Sequence, residues 1–135
     1  MTLQRPVPRL TEENRFFWTS GADGRLRFMR CNNCATVIHP PQPVCRQCRS
    51  ENVSPHAVPG TGVVYSHTIN YQKWNPALEV PFVIARVAID GAAGVLLTTN
   101  IVGCPVEDVR IGMPVEAAFD DVDEATTLVR FRPRG

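Results

Sequence analysis

Cys31-Asn32-Asn33-Cys34 and Cys45-Arg46-Gln47-Cys48 are two CxxC pairs with ten residues between them. A CxxC turn lets two thiolates converge on one ion while its backbone amides donate hydrogen bonds to the sulfurs. Two such knuckles face to face give a tetrahedral four-thiolate site, which zinc accepts without electronic preference. Four sulfurs fill the shell and leave no position for a water. The expected metal is therefore one structural zinc per chain, not a catalytic one. Iron would take the same ligands, and the spacing alone does not choose between the two metals. Two other uses of the motif are weaker. Disulfides are disfavoured in a cytoplasmic compartment, and CxxC redox chemistry usually sits at a strand-to-helix junction that is missing here.

The remaining reactive side chains do not assemble into a catalytic set. Cys104 lies between Gly103 and Pro105 with no recognisable group to lower its pKa, and it reads as an inert loop cysteine. His39, between the knuckles and before Pro40-Pro41, could replace a cysteine ligand, but four cysteines make that unnecessary. His56 falls in the hinge region, and His67, within a strand, reads as a barrel residue, not a general base. No Ser/His/Asp arrangement, paired-carboxylate motif or glycine-rich phosphate loop is visible. The run Asp120-Asp121-Val122-Asp123-Glu124 reads as a solvated hairpin loop, its spacing being unlike that of a calcium loop.

Composition limits the elements that must position the cysteines. With 44% hydrophobic residues in a chain of 135, a packed core is affordable. Its apolar runs are too short to span a bilayer and no secretory pattern opens it, so a cytoplasmic protein without membrane contact is expected. The net charge of +1 argues against bulk polyanion binding, yet it hides an asymmetry. Residues 1–58 carry eight arginines against four acids, whereas residues 59–135 carry six basic residues against nine acids. Four of the five cysteines also lie in the first half. The shift falls at Pro59-Gly60-Thr61-Gly62, which divides the chain into units 1–58 and 59–135. Residues 25–58 hold few large apolar side chains, so this piece folds only if metal coordination contributes the missing free energy.

Arg5-Pro6-Val7-Pro8 reads as an extended arm. Thr11 is placed to cap a helix of two or three turns running through Glu12, Glu13, Asn14, Arg15, Phe16, Phe17 and Trp18, which must stop near Gly21 and Gly24. Two acids in its first turn would suit the helix dipole. Downstream, β-branched and roughly alternating segments at 63–70, 82–89, 95–102, 115–119 and 127–132 are separated by Gly, Pro and Asp turns. Five short strands in this pattern indicate a small antiparallel barrel or sandwich. Residues 105–112 read as a short helical turn or loop between the third and fourth.

Taken in order, Asn14-Arg15-Phe16-Phe17-Trp18, Gly24 to Cys31, Cys34, Pro40-Pro41, Pro43-Val44-Cys45, Cys48, Gly60 to Ser66 and Arg110 to Val115 resemble one family. It is the acyl-CoA-associated rubredoxin-like zinc ribbon and OB-fold proteins, long called the domain-of-unknown-function-35 family. The likeness runs from about Thr11 to Pro133. It implies a mainly β protein with an N-terminal helical arm, a rubredoxin-like zinc ribbon and a C-terminal five-stranded OB-fold barrel. It further implies a hetero-oligomeric accessory subunit, not an enzyme. Such a subunit docks on a thiolase-like partner (aldolase or lyase, thiolase, acyltransferase) with acyl-CoA at or near the interface, in steroid side-chain, aromatic or fatty acyl-CoA metabolism. The family's zinc ligands carry over to Cys31, Cys34, Cys45 and Cys48; no catalytic residue carries over.

Candidate contacts to the partner or its acyl-CoA follow from side-chain type. Arg15, with Arg25, Arg27 and Arg30, could meet a phosphate or an acidic surface, or simply be solvated. Phe17 and Trp18 are either core residues or an aromatic docking surface. Tyr71, Lys73 and Trp74 lie in a long loop between the first two barrel strands, which in OB folds borders the ligand face. The main rival is a nucleic-acid-binding OB-fold and zinc-ribbon protein. Against it, the barrel half is acidic, whereas a strand-binding groove should be basic. An independent redox or hydrolytic enzyme is the third class, weakened by the lack of a catalytic set.

Overall fold

The computed structural model describes residues 8–12, 14–122 and 126–134. The extended arm at Arg5-Pro6-Val7, the helix acid Glu13 and the acids Asp123 and Glu124 lie outside the described residues. Helix α1 (Arg15–Ser20) runs into a 3-10 turn (Gly21–Asp23) and then β1 (Leu26–Cys31), β2 (Val37–Ile38) and β3 (Val53–Val58). After Pro59-Gly60 come β4 (Thr61–Asn70), β5 (Phe82–Ile89), β6 (Leu96–Ile101), a 3-10 turn (Val106–Asp108), β7 (Pro114–Asp121) and β8 (Thr127–Pro133). The first three strands form a sheet ordered β2-β1-β3, and the last five close into a barrel ordered β4-β5-β6-β8-β7.

Alternation builds the barrel. Val83, Ala85, Val87 and Ile89 are buried along β5, with Ile84 and Arg86 exposed between them, the period of two that a half-buried strand requires. β4 pairs with β5 from Gly62↔Ile89 to Asn70↔Phe82 and with β7 at Thr61↔Glu116 through Val63↔Pro114, so one long strand serves two neighbours. Closure needs the backbones close at Gly62, where a Cβ would run into the Ala88 carbonyl oxygen and the Val87 side chain. β6 meets β8 in parallel only at Ile101↔Phe131, and closed pairing leaves the barrel without a free edge.

The helix differs from expectation. It begins at Arg15, with Asn14 as its N-cap, and spans six residues, less than two turns. Ahead of it, Thr11 and Asn14 satisfy each other. The Thr11 N–H donates to Asn14 Oδ1 at 2.7 Å, and the Asn14 N–H donates to Thr11 Oγ1 at 3.2 Å. This reciprocal pair is a capping box, and the Arg15 N–H donates to the Thr11 carbonyl at 3.0 Å, so Thr11 caps the turn that leads into α1 as expected, while α1 itself has no acid in its first turn. The acidic run also begins inside a strand. Asp120 pairs with Arg130 at 2.9 Å, and Asp121 accepts the Thr127 hydroxyl at 2.6 Å, which extends β7 by two residues beyond Phe119.

Burial ties the two sheets together. Leu26 and Phe28 on β1, with Phe17 of the helix, belong to the same buried cluster as Val64, Val87, Val115 and Phe131 of the barrel. The opposite face of β1 sends Met29 and Cys31 into a second cluster with Ile38 and Cys45. One strand therefore anchors the cysteines to the main core. Among the described residues, no helix is long and apolar enough to cross a membrane.

Candidate functional site

The two knuckles repeat one backbone design. In the first, the Ala35 N–H donates to the Cys31 carbonyl and the Cys31 N–H to the Thr36 carbonyl, both at 2.9 Å. In the second, the Arg49 N–H donates to the Cys45 carbonyl and the Cys45 N–H to the Ser50 carbonyl, again at 2.9 Å. The residue after each second cysteine turns into the left-handed region, Ala35 at φ 65° and Arg49 at φ 63°. Both non-glycine residues accept this strained backbone so that the chain can fold back over the sulfurs.

Facing each other, the knuckles bring the four Sγ atoms within 4.8 Å of one another. The Cys31–Cys48 and Cys34–Cys45 separations are 3.5 and 3.6 Å, and all four cysteines are free. A tetrahedral ion with metal–sulfur bonds of about 2.3 Å needs sulfur–sulfur edges of about 3.8 Å, so the donor set fits one zinc. Electrostatics give the same reading. Hydrogen bonds from the side chain and then the backbone of Thr36 hold the Cys34 thiol down to about 6. The Ser50 N–H also favours the Cys48 thiolate, but Cys31, burial and the other two sulfurs outweigh it and push Cys48 up to about 12. Four sulfurs this close repel one another as anions, and a divalent cation removes that conflict.

Amide and hydroxyl side chains, which the sequence reading passed over, lock the knuckles in place. Asn32 Nδ2 donates to Asn52 Oδ1 at 3.0 Å and to Ser54 Oγ at 3.1 Å, and its Oδ1 lies 2.9 Å from His56 Nε2. Asn33 Nδ2 donates to Ser50 Oγ at 2.7 Å, which links the first knuckle to the end of the second. Hydrogen-bonding side chains between and after the cysteines were the available signal. They serve as an outer shell that fixes ligand orientation.

His39 is not a ligand. Its ring packs 5.0 Å from Phe17 and 5.1 Å from Phe28, and its Nδ1 is buried with no hydrogen-bond partner among the described residues. Burial holds its pKa below the usual histidine value. The unfolded chain takes up a proton near pH 6.5 while the folded imidazole resists it. This contribution to stability is therefore complete above about pH 6.5 and declines as the pH falls below that value. His39→Phe should remove it. Urea midpoints of wild type and variant are expected to draw apart in the variant's favour from about pH 7.5 to 5.5; parallel pH profiles would refute the assignment.

The contact candidates separate into two places. Arg15 is exposed on α1, and Trp18 is half-buried with its ring edge against Phe17 at 4.9 Å. Phe17 itself is only 4% exposed and acts as a core anchor beneath Trp18. Trp18, His39, Pro40, Pro41 and Arg86 line a cleft of about 530 Å³ between helix, ribbon and barrel. At the far end of β4, Tyr71 is 69% exposed and Trp74 80% exposed, with Lys73 exposed between them. Of the neighbouring arginines, Arg27 is held by Asp23 through contacts of 3.1 and 2.7 Å. Cys104 is half-buried, and burial first, then the Asp108 and Glu107 carboxylates, push its thiol up, away from a nucleophilic thiolate.

Residues 18–54 match the family model of the ChsH2 rubredoxin-like zinc ribbon domain, and residues 55–120 that of the ChsH2 C-terminal OB-fold domain. Over 96% of its length the chain is 37% identical to a probable enoyl-CoA hydratase alpha subunit of Thermomonospora curvata, of which it spans only 40%. It is 34% identical to a DUF35 domain-containing scaffold protein of Methanocaldococcus jannaschii, covering 71% of this chain and 68% of that one. Among solved structures, a chain of the Ltp2-ChsH2(DUF35) aldolase superposes with a TM-score of 0.84 at 36% identity, over 94% of this chain and 98% of that one. With the four-cysteine ribbon and the closed five-stranded barrel already in view, the chain belongs to the DUF35 family of ChsH2-type zinc-ribbon and OB-fold proteins.

Proposed function

We propose that this chain is a non-catalytic accessory subunit that docks on a thiolase-like enzyme, an aldolase or lyase, thiolase or acyltransferase, and helps form its acyl-CoA site. Steroid side-chain, aromatic and fatty acyl-CoA metabolism are the settings this reading covers. One observation carries it: the match extends over 98% of a chain solved in an aldolase assembly, at 36% identity. The site chemistry supports the division of labour. Protein sulfurs can saturate the metal, which leaves it to hold the ribbon together while the partner performs the reaction. We assign the N-terminal helix and zinc ribbon to residues 1–58 and the OB-fold barrel to 59–135. Arg15 and Trp18 at one place and Tyr71, Lys73 and Trp74 at another are the contact groups, with Phe17 supporting Trp18 from the core.

Co-expression with a thiolase-like subunit from the same genome tests the reading. A stable hetero-oligomer is expected, and adding this chain should restore acyl-CoA turnover to the partner. A partner that is fully active alone and never copurifies would overturn it.

A further inference from the structure

Three exposed apolar side chains gather at the start of β4. Val63 is 40% exposed, Tyr65 57% and Ile111 69%. Val63 faces Pro114 in register. The turn carrying Ile111 is clamped to the same strand, since the Gly112 N–H donates to the Val64 carbonyl at 2.8 Å and the Val64 N–H to the Met113 carbonyl at 3.0 Å. Tyr65 falls in the β-bulge between Val64 and Ser66, a device that takes a residue out of the ladder and re-aims its side chain. Clustered apolar exposure of this kind marks an interaction face.

The rim of this face is basic, although the barrel half as a whole is acidic. Arg110 adjoins Ile111, and the Arg134 N–H donates to the Pro114 carbonyl at 3.0 Å. Both arginines are exposed, and neither forms an ion pair among the described residues. Two of the neighbouring acids are engaged elsewhere. Glu116 pairs with Arg132 at 3.3 Å, and Asp90 accepts the Thr61 hydroxyl at 2.7 Å. Glu107 and Asp108, on the 3-10 turn that precedes Arg110, are exposed. A symmetric pairing of two copies would set one arginine-bearing rim against the other, which like-charge repulsion disfavours.

We infer that this face, centred on Val63, Tyr65 and Ile111, docks a different protein whose apolar spot is flanked by carboxylates. Resting on the accessory-subunit reading, the occupant is the enzyme partner. The face is distinct from the Tyr71–Trp74 loop, because Val63 and Asn70 stand at opposite ends of β4, about 23 Å apart at strand rise. The face is thus a third place of contact, beside Arg15 and Trp18 and the Tyr71–Trp74 loop.

The probe is the purified thiolase-like subunit from the co-expression experiment, titrated with wild type and with two double variants of confirmed zinc content. Tyr65→Ser/Ile111→Ser should weaken binding by at least about tenfold. Arg110→Glu/Arg134→Glu should weaken it by about tenfold at low salt, with the loss shrinking as ionic strength rises. If wild type binds and both double variants bind within about twofold of it, the inference fails while the accessory reading stands. An isolated chain that dimerises, and loses the dimer in Tyr65→Ser/Ile111→Ser, would make a second copy the occupant and overturn the inference. Absence of any binding by wild type overturns the accessory reading and the inference with it.

Discussion

Cys45→Ala is expected to yield insoluble protein, with the wild type carrying about one zinc per chain by elemental analysis. Cys45 is 1% exposed, 3.6 Å from the Cys34 sulfur, and accepts the Gln47 N–H at 3.4 Å. With Met29, Cys31 and Ile38 it makes up the ribbon's own buried cluster, four side chains of which two are metal ligands. Such a cluster cannot offset the entropy of ordering the knuckles. Structural zinc contributes roughly 10–16 kcal/mol in small metal-folded modules, comparable with the whole stability of about 5–15 kcal/mol of a typical domain. Removing one of four thiolates weakens that contribution and leaves a cavity beside Ile38. Damage should extend beyond the ribbon, because β1 carries Cys31 on one face and Phe28, part of the barrel core, on the other. A soluble Cys45→Ala protein retaining stoichiometric zinc would refute the four-thiolate assignment.

The metal site and the barrel were legible in the sequence for different reasons. Two CxxC pairs concentrate their chemistry in a few adjacent residues, so spacing alone predicted which sulfurs would meet. The barrel was legible because β5 and its neighbours carry period-two alternation, which survives any arrangement of strands. Closure into an OB-fold barrel came from the resemblance, and the strand order was not readable from that pattern. The Thr11 cap was legible from residue type, and its bonds with Asn14 bear it out, whereas the length of the helix was not, since regular helix spans only Arg15–Ser20. His39 illustrates a different limit. Nothing between Ile38 and Pro40 signals that the imidazole will stack among Phe17 and Phe28, since those rings arrive from two other elements. The bulge at Tyr65 was equally silent, being a mismatch between two strands and not a property of either.

Phe28→Ala is expected to cost about 3–5 kcal/mol and to uncouple the ribbon from the barrel. Phe28 lies on β1 of the ribbon sheet, opposite His56 in register, yet its ring is 1% exposed within the barrel's cluster. It is 5.8 Å from Phe17, which brings the helix to the same point, and meets His39 edge-on at 5.1 Å. Helix, ribbon and barrel therefore converge on this side chain. While the ring is present, neither unit can unfold without exposing the other's apolar surface, so wild type should unfold in one step. Zinc release, tryptophan fluorescence and far-ultraviolet circular dichroism should share one urea midpoint. Truncation to alanine opens a cavity at the seam while leaving the four thiolates and the inward face of the barrel untouched. The midpoints for zinc release and for loss of strand signal should then separate. Two outcomes would defeat the argument. Separate midpoints in the wild type would mean that units 1–58 and 59–135 unfold independently. A Phe28→Ala protein that loses less than about 1 kcal/mol and keeps coincident midpoints would mean that the seam is held elsewhere.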